Sequence, residues 1–197
     1  RSFPPRRFRT DDTMHIVGQV IEVVREFRNL RLEPSAIFVD GGGIGGAVVD
    51  RLRQLGYDVI EVQFGSTKSI IDKDSYRYKS DELWGRLRDH IKTRLCLPPV
   101  NTREGMDLKD DLTQREFGYT LSGNKMHLET KDSMKARGLA SPDLADALAV
   151  TYAQEVAPKS VGQMAEPRMV ISDFDPLRLP SQSERAKALI DGRYMTS

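Results

Sequence analysis

The sequence predicts an α/β fold, in which helices pack against a sheet. A short apolar run at 36–40 is followed by glycines and then by apolar residues at helical spacing. A second predicted strand at 57–62 completes a strand-helix-strand unit, so we expect two parallel strands with a right-handed crossover. Further on, alternating segments flank Ser122-Gly123-Asn124, a pattern typical of a β-hairpin.

Composition limits the class of protein. The 197 residues carry a net charge of +1, which excludes a wholly basic nucleic-acid-binding protein and leaves only a local basic patch. The single cysteine, Cys96, excludes a disulfide framework and a cysteine-rich zinc site, and it suits a reducing cytoplasm. No apolar run has the length of a membrane span, so we expect no membrane association.

The first half of the chain should contain two helices and two strands. Apolar residues at three- and four-residue steps predict a helix over 13–27, with Asp12 among its cap candidates. A second helix over 47–55 is closed by Gly56 and leads into the strand at 57–62. The loop that follows ends in Lys68, which we expect to contact phosphate.

The middle of the chain predicts a helix capped by Ser80 and a shorter helix beyond the double proline at 98–99. We expect Trp84 to lie in the core rather than to stack on a base. The acidic residues of the shorter helix should form a solvated face: Asp107, Asp110 and Asp111.

The last predicted helix of the domain runs from Ser141, a favourable N-cap, to about residue 154. Pro142 fits the first helical position. We therefore expect a domain over 1–156 and a proline-containing C-terminal tail over 157–197, partly disordered or docked on another surface.

Two carboxylates are placed to bind metal. Asp40 ends a strand beside a glycine-opened crevice, where ligands bind in open α/β sheets. Asp143 lies in the first turn of the last helix, and Asp146 follows three residues later on the same side. Mg²⁺ and Mn²⁺ take oxygen ligands, and nucleases use such ions in pairs. Only folding could unite these carboxylates, because they are far apart in sequence.

The same glycines permit a second interpretation. Gly41 to Gly46 satisfy the G-x-G-x-x-G pattern between a strand and a helix, and Glu61 follows where a ribose-binding acid would lie. A dinucleotide-binding Rossmann-like module is therefore an alternative. Asp40 argues against it, because its charge would repel a bound pyrophosphate. The later helix and hairpin also do not continue a doubly wound fold.

Two long motifs identify a resemblance. The segment Ile37-Phe-Val-Asp40-Gly-Gly-Gly-Ile-Gly-Gly-Ala-Val-Val-Asp50-Arg-Leu resembles the middle motif of the nuclease domain in the large terminase subunit of tailed bacteriophages and prophages. The segment Leu128-Glu-Thr-Lys131-Asp-Ser-Met-Lys-Ala-Arg-Gly-Leu-Ala-Ser-Pro-Asp143-Leu-Ala-Asp146-Ala-Leu resembles its closing motif. The resemblance covers about residues 1–156. It implies an RNase H-like (RuvC-like) mixed sheet flanked by helices.

The resemblance also implies a function. It indicates a metal-dependent endonuclease (a hydrolase) that uses Mg²⁺ or Mn²⁺ in a two-metal site to cut concatemeric double-stranded DNA during DNA packaging. Asp40 corresponds to the second catalytic, metal-binding carboxylate and Asp143 to the third, with Asp146 a further candidate. Basic residues beside the site would steady the DNA backbone: Lys131, Lys135 and Arg137.

The chain departs from the family pattern at its start. The family's opening strand, which carries the first catalytic Asp, does not precede Arg1, so we expect this segment to bind metal weakly and cut poorly. The packaging ATPase that precedes the family's nuclease is also absent from the sequence. A non-catalytic module that docks on the portal or on DNA is therefore a second alternative. The portal protein, the small terminase subunit and the host bacterial cytoplasm are the implied partners and location.

Overall fold

The computed structural model describes residues 3–157, which form six helices and four strands. They are α1 (Thr13–Asn29), β1 (Ile37–Asp40), α2 (Gly45–Gln54), β2 (Val59–Val62), α3 (Lys79–Thr93), α4 (Arg103–Gln114), β3 (Phe117–Tyr119), β4 (Met126–Leu128), α5 (Lys131–Ala136) and α6 (Asp143–Val150). The mixed α/β class predicted from the sequence is confirmed. The expected tail over 157–197 lies, beyond Ala157, outside the described residues.

The strands of the described region form two small sheets. β1 pairs with β2 in parallel, with Ile37 opposite Val59 and Asp40 opposite Val62, as the strand-helix-strand pattern predicts. β3 and β4 form the expected antiparallel hairpin. The two pairs are separate sheets, and a single parallel bridge joins Tyr76 to β4. Within residues 3–157, the strands thus do not form the one mixed sheet that the resemblance implies.

Two apolar clusters hold the elements together. The first joins α1, α2 and the paired strands, and its buried members are Val17, Val48, Val49, Leu52 and Val59. The second lies between α3, α6, β2 and β4, and its buried members are Val62, Leu83, Trp84, Leu87, Met126, Leu128, Ala145, Ala149 and Val150. Burial of these side chains is the main driving force for folding. Because α6 packs on both α3 and β1, its first turn lies close to the end of β1.

Three predicted helix ends differ from the structure. Ser80 is not the cap of α3: the N-cap is Tyr78, two residues earlier, and its N–H donates to Asp81 Oδ2 (2.8 Å). Ser141 is not the cap of α6 either, since the N-cap is Pro142 and its side chain cannot accept a hydrogen bond. That helix also ends at Val150, four residues earlier than predicted. No helix of residues 3–157 combines the length and apolarity needed to cross a bilayer.

Candidate active site

The predicted metal-binding residues line a common cavity. Asp40, Asp143 and Asp146, together with Lys131, lie around a space of 350 Å³ between β1, α1 and α6. The remaining walls are mostly apolar and come from Ile16, Val20, Phe38, Val39, Val48, Phe64, Ala147 and Val150. The fold therefore brings together carboxylates that are far apart in sequence.

Asp40 reaches the cavity because β1 ends on it and the glycines turn the chain sharply. Its Oδ1 accepts the N–H of Gly42 (3.1 Å), and the side chain is exposed. Gly43 has φ +58°, a left-handed conformation that favours glycine. A Cβ at Gly45 would overlap the main-chain oxygen of Asp40, so only glycine allows α2 to begin this close to the strand end.

The geometry of this loop disfavours the dinucleotide interpretation. The N–H of Gly42, which a pyrophosphate would need, already bonds the carboxylate of Asp40. Glu61, the expected ribose ligand, instead accepts a hydrogen bond from Gln63 Nε2 (2.7 Å). A phosphate entering here would meet negative charge at short range.

Asp143 and Asp146 reach the cavity from the first turn of α6 but differ in environment. Asp143 is exposed, whereas Asp146 is 6% exposed. Asp146 Oδ1 accepts Trp84 Nε1 (2.9 Å) and Arg115 Nη1 (3.1 Å). Its Oδ2 lies 2.9 Å from Lys131 Nζ, and this ion pair compensates the buried oxygen. Burial lowers the pKa of Arg115, and the neighbouring carboxylates partly offset this decrease.

The first turn of α6 is held by a residue of another helix. Asp111 on α4 accepts the N–H of Leu144 (2.8 Å) and pairs with Arg7 (3.3 Å). Burial raises the pKa of the Asp111 carboxyl. The expectation of a solvated acidic face is thus wrong for Asp111, although Asp107 and Asp110 are exposed as predicted.

The predicted DNA-contacting residues are not all free cations. Lys131 faces Asp146, and Arg137 pairs with Glu129 (Oε2 to Nη1, 2.6 Å) and Glu116 (3.1 Å). Lys135 makes only a long, exposed contact with Asp132 (3.7 Å). Lys68 is exposed in the loop after β2 and does not line the cavity.

The carboxylates of the cavity are the right type of ligand for a divalent cation, but they lie too far apart to bind one ion together. The cavity offers carboxylate oxygens, which Mg²⁺ and Mn²⁺ prefer as ligands. Among residues 3–157, however, no three His, Cys, Asp or Glu side chains come close enough to hold one ion. Ligation at Asp146 Oδ2 would also require Lys131 Nζ to move, because two cations repel at such a distance.

Sequence reasoning missed three residues that support this site: Trp84, Arg115 and Asp111. Trp84 is in the core as predicted, but its indole N–H also binds Asp146. A buried tryptophan normally finds an acceptor for that group, which was the one available signal. Arg115 and Asp111 gave no local signal, because their partners lie on other elements.

The fold has known counterparts. No family model matches the chain, and no curated protein matches it by sequence. The nuclease domain of the large terminase subunit gp2 of bacterial virus Sf6 is similar over 74% of this chain and 72% of its own, with 18% identity and a TM-score of 0.54. A single-site mutant of that domain with manganese and beta-thujaplicinol is similar over the same shares, with 17% identity and a TM-score of 0.52.

A second structure of the mutant, with manganese, is similar over 70% of each chain, with 18% identity and a TM-score of 0.50. At such identities the comparison establishes architecture. The chain therefore has the fold of the nuclease domain of a bacteriophage large terminase subunit.

Proposed function

We propose that the chain is the metal-dependent DNA endonuclease domain of a DNA-packaging terminase large subunit from a phage or prophage. The observation that carries the proposal is the single cavity lined by Asp40, Asp143 and Asp146. The fold shared with a terminase nuclease domain supports it independently. Manganese in two of the similar structures supports a divalent ion as cofactor.

The proposed reaction is hydrolysis of a phosphodiester in concatemeric double-stranded DNA. Bound Mg²⁺ or Mn²⁺, as a two-metal site, would activate a water and stabilise the charge that develops on the phosphate. Asp40, Asp143 and Asp146 would supply oxygen ligands. We propose that a further carboxylate comes from chain upstream of Arg1, as the family resemblance implies. We also propose that the fold is RNase H-like.

Basic side chains at the rim would position the DNA. Lys135 and Lys68 have exposed ammonium groups suited to phosphate contacts, and Lys131 and Arg137 would exchange their present carboxylate partners for phosphates. We also propose the portal protein and the small terminase subunit as partners, in the cytoplasm of a bacterial host.

The test is plasmid cleavage with Mn²⁺, Mg²⁺ or EDTA, on this chain and on a version extended upstream. Asp40→Asn should abolish cutting while the melting temperature stays the same, because the side chain is exposed and only its charge is lost. Asp50→Asn is the matched control, since Asp50 is an exposed acid on α2 that does not line the cavity.

Two outcomes would contradict the proposal. Cutting that persists in Asp40→Asn would remove Asp40 from the site. If neither version cuts and NAD raises the melting temperature, the glycine loop binds a dinucleotide instead.

A further inference from the structure

Two buried side chains, Trp84 and Arg115, bond the same oxygen of Asp146, and neither of them lines the cavity. Trp84 Nε1 and Arg115 Nη1 both donate to Oδ1, at 2.9 and 3.1 Å. The donors come from α3 and from the residue after α4, so three elements meet at this carboxylate. Two donors on one oxygen fix the position of that oxygen and the plane of the carboxylate.

The two donors are themselves held in place. The Arg115 guanidinium lies 5.1 Å from the centre of the Trp84 ring, and its Nε donates to the carbonyl of Glu129 (3.0 Å). The side chain of Arg115 is 8% exposed and Trp84 is 7% exposed. Neither side chain can change its rotamer without losing these buried contacts.

The second oxygen of Asp146 is left for the cavity. Oδ2 is buried beside the cavity and forms an ion pair with Lys131 Nζ (2.9 Å). The ammonium of Lys131 compensates this oxygen, and the Lys131 side chain is itself 48% exposed, so it can move out into water. Oδ1 is thus held by two buried donors, whereas Oδ2 faces one partly exposed ammonium that a divalent cation could replace.

We propose that Trp84 and Arg115 are positioning residues that hold Asp146 so that Oδ2 is directed at the divalent cation. The inference rests on the proposed function, because it takes the cavity to be the metal site. Outer partners that orient a metal ligand typically change metal affinity by about 10–100-fold when they are removed. Trp84 and Arg115 would thereby set the affinity without touching the ion or the DNA.

Trp84 also provides a direct readout. It is the only tryptophan of the 197 residues, so intrinsic emission reports on the group bonded to Asp146. Titration of the whole chain with Mn²⁺ should change this emission, and Asp146→Asn should abolish the change. If Trp84 were only a core residue, its emission would not change on addition of Mn²⁺, either in the wild type or in Asp146→Asn.

The decisive experiment measures Mn²⁺ affinity by calorimetry in the wild type and in three variants. Trp84→Phe keeps an aromatic ring and loses the N–H, and Arg115→Gln loses the charged fork. Each should weaken Mn²⁺ binding about 10–100-fold. Arg88→Gln is the matched control, because Arg88 is an exposed arginine of α3, and it should bind as the wild type does.

A benzothienyl analogue of tryptophan at position 84 covers the case in which Trp84→Phe fails to fold, because it fills the same volume and lacks only the N–H. Equal Mn²⁺ affinity in the folded variants and the wild type overturns this inference alone. Absence of Mn²⁺ binding both in the wild-type chain and in the version extended upstream overturns the proposed function and this inference together.

Discussion

Replacing Glu82 by glutamine should destabilise the domain strongly, although the two side chains have nearly the same shape. Glu82 is 0% exposed and lies at the centre of a buried charge network. Its carboxylate pairs with Lys79 Nζ (2.7 Å) and Arg86 Nη2 (3.2 Å). It also accepts the N–H groups of Ile71 (3.1 Å) and Asp72 (3.1 Å), which fixes the loop between β2 and α3.

The magnitude follows from burial. Lys79 is 4% exposed, so glutamine at position 82 leaves its ammonium almost entirely out of water with no carboxylate beside it. Removing one partner of a buried ion pair costs about 3–5 kcal/mol. Because small domains are stable by only about 5–15 kcal/mol, this one substitution should remove a large share of the free energy of unfolding.

The assay is urea unfolding followed by far-UV circular dichroism. Glu26→Gln is the matched control, since Glu26 pairs with Arg6 on the surface and should change stability little. Adding Lys79→Met to Glu82→Gln should recover most of the loss, because the unpaired buried charge is then gone. If Glu82→Gln lowers the free energy of unfolding no more than Glu26→Gln does, the buried network does not contribute as argued.

Two further predictions concern acid stability and the glycine turn. Burial would raise the pKa of Glu82, but its hydrogen bonds from Lys79, Asp72 and Ile71 outweigh burial and hold the pKa below its ordinary value of 4.5. A lowered carboxyl pKa stabilises the fold above pH 4.5, and this stabilisation is lost as the pH falls through the folded-state pKa. The part of the acid-induced decrease in the free energy of unfolding that comes from Glu82 should therefore be absent in Glu82→Gln. Gly45→Ala should displace the end of β1, because the new Cβ would overlap the Asp40 main-chain oxygen, and it should lower both the melting temperature and the Mn²⁺ affinity. Gly65→Ala is the control: its Cβ would have open space around it, so neither quantity should change.

The local parts of the fold could be predicted from the sequence because they depend on neighbouring residues. The spacing of apolar residues gave α1 and the parallel pair β1–β2, with register set by the short helix between the strands. The position of Asp40 followed from the same pattern, since the strand ends where the glycines begin. That the chain would pack α6 against β1, and so bring Asp143 to Asp40, came from the family resemblance and not from spacing.

The mispredicted start of α6 has a physical cause in the packing of two helices. Ser141 is a favourable N-cap on local statistics, yet the orphan N–H of Leu144 is satisfied by Asp111 from α4. A capping group supplied by another helix makes the local cap unnecessary. Such a partner cannot be recognised from a sequence pattern, because it depends on how α4 and α6 pack. The same packing partly buries Asp111, which a helical-face argument assigns to solvent.

The charges around the cavity explain two properties of its carboxylates. Their negative charge is compensated in the absence of a metal, and the cavity can nevertheless bind a cation. Asp146 is buried, and Arg115 and Lys131 compensate its charge from two sides. Asp40 and Asp143 are exposed, so water solvates them. The lining nevertheless holds three carboxylates and one ammonium, an excess of negative charge that would repel a DNA phosphate. A divalent cation would remove this excess, so metal and DNA should bind to the cavity cooperatively rather than compete for it.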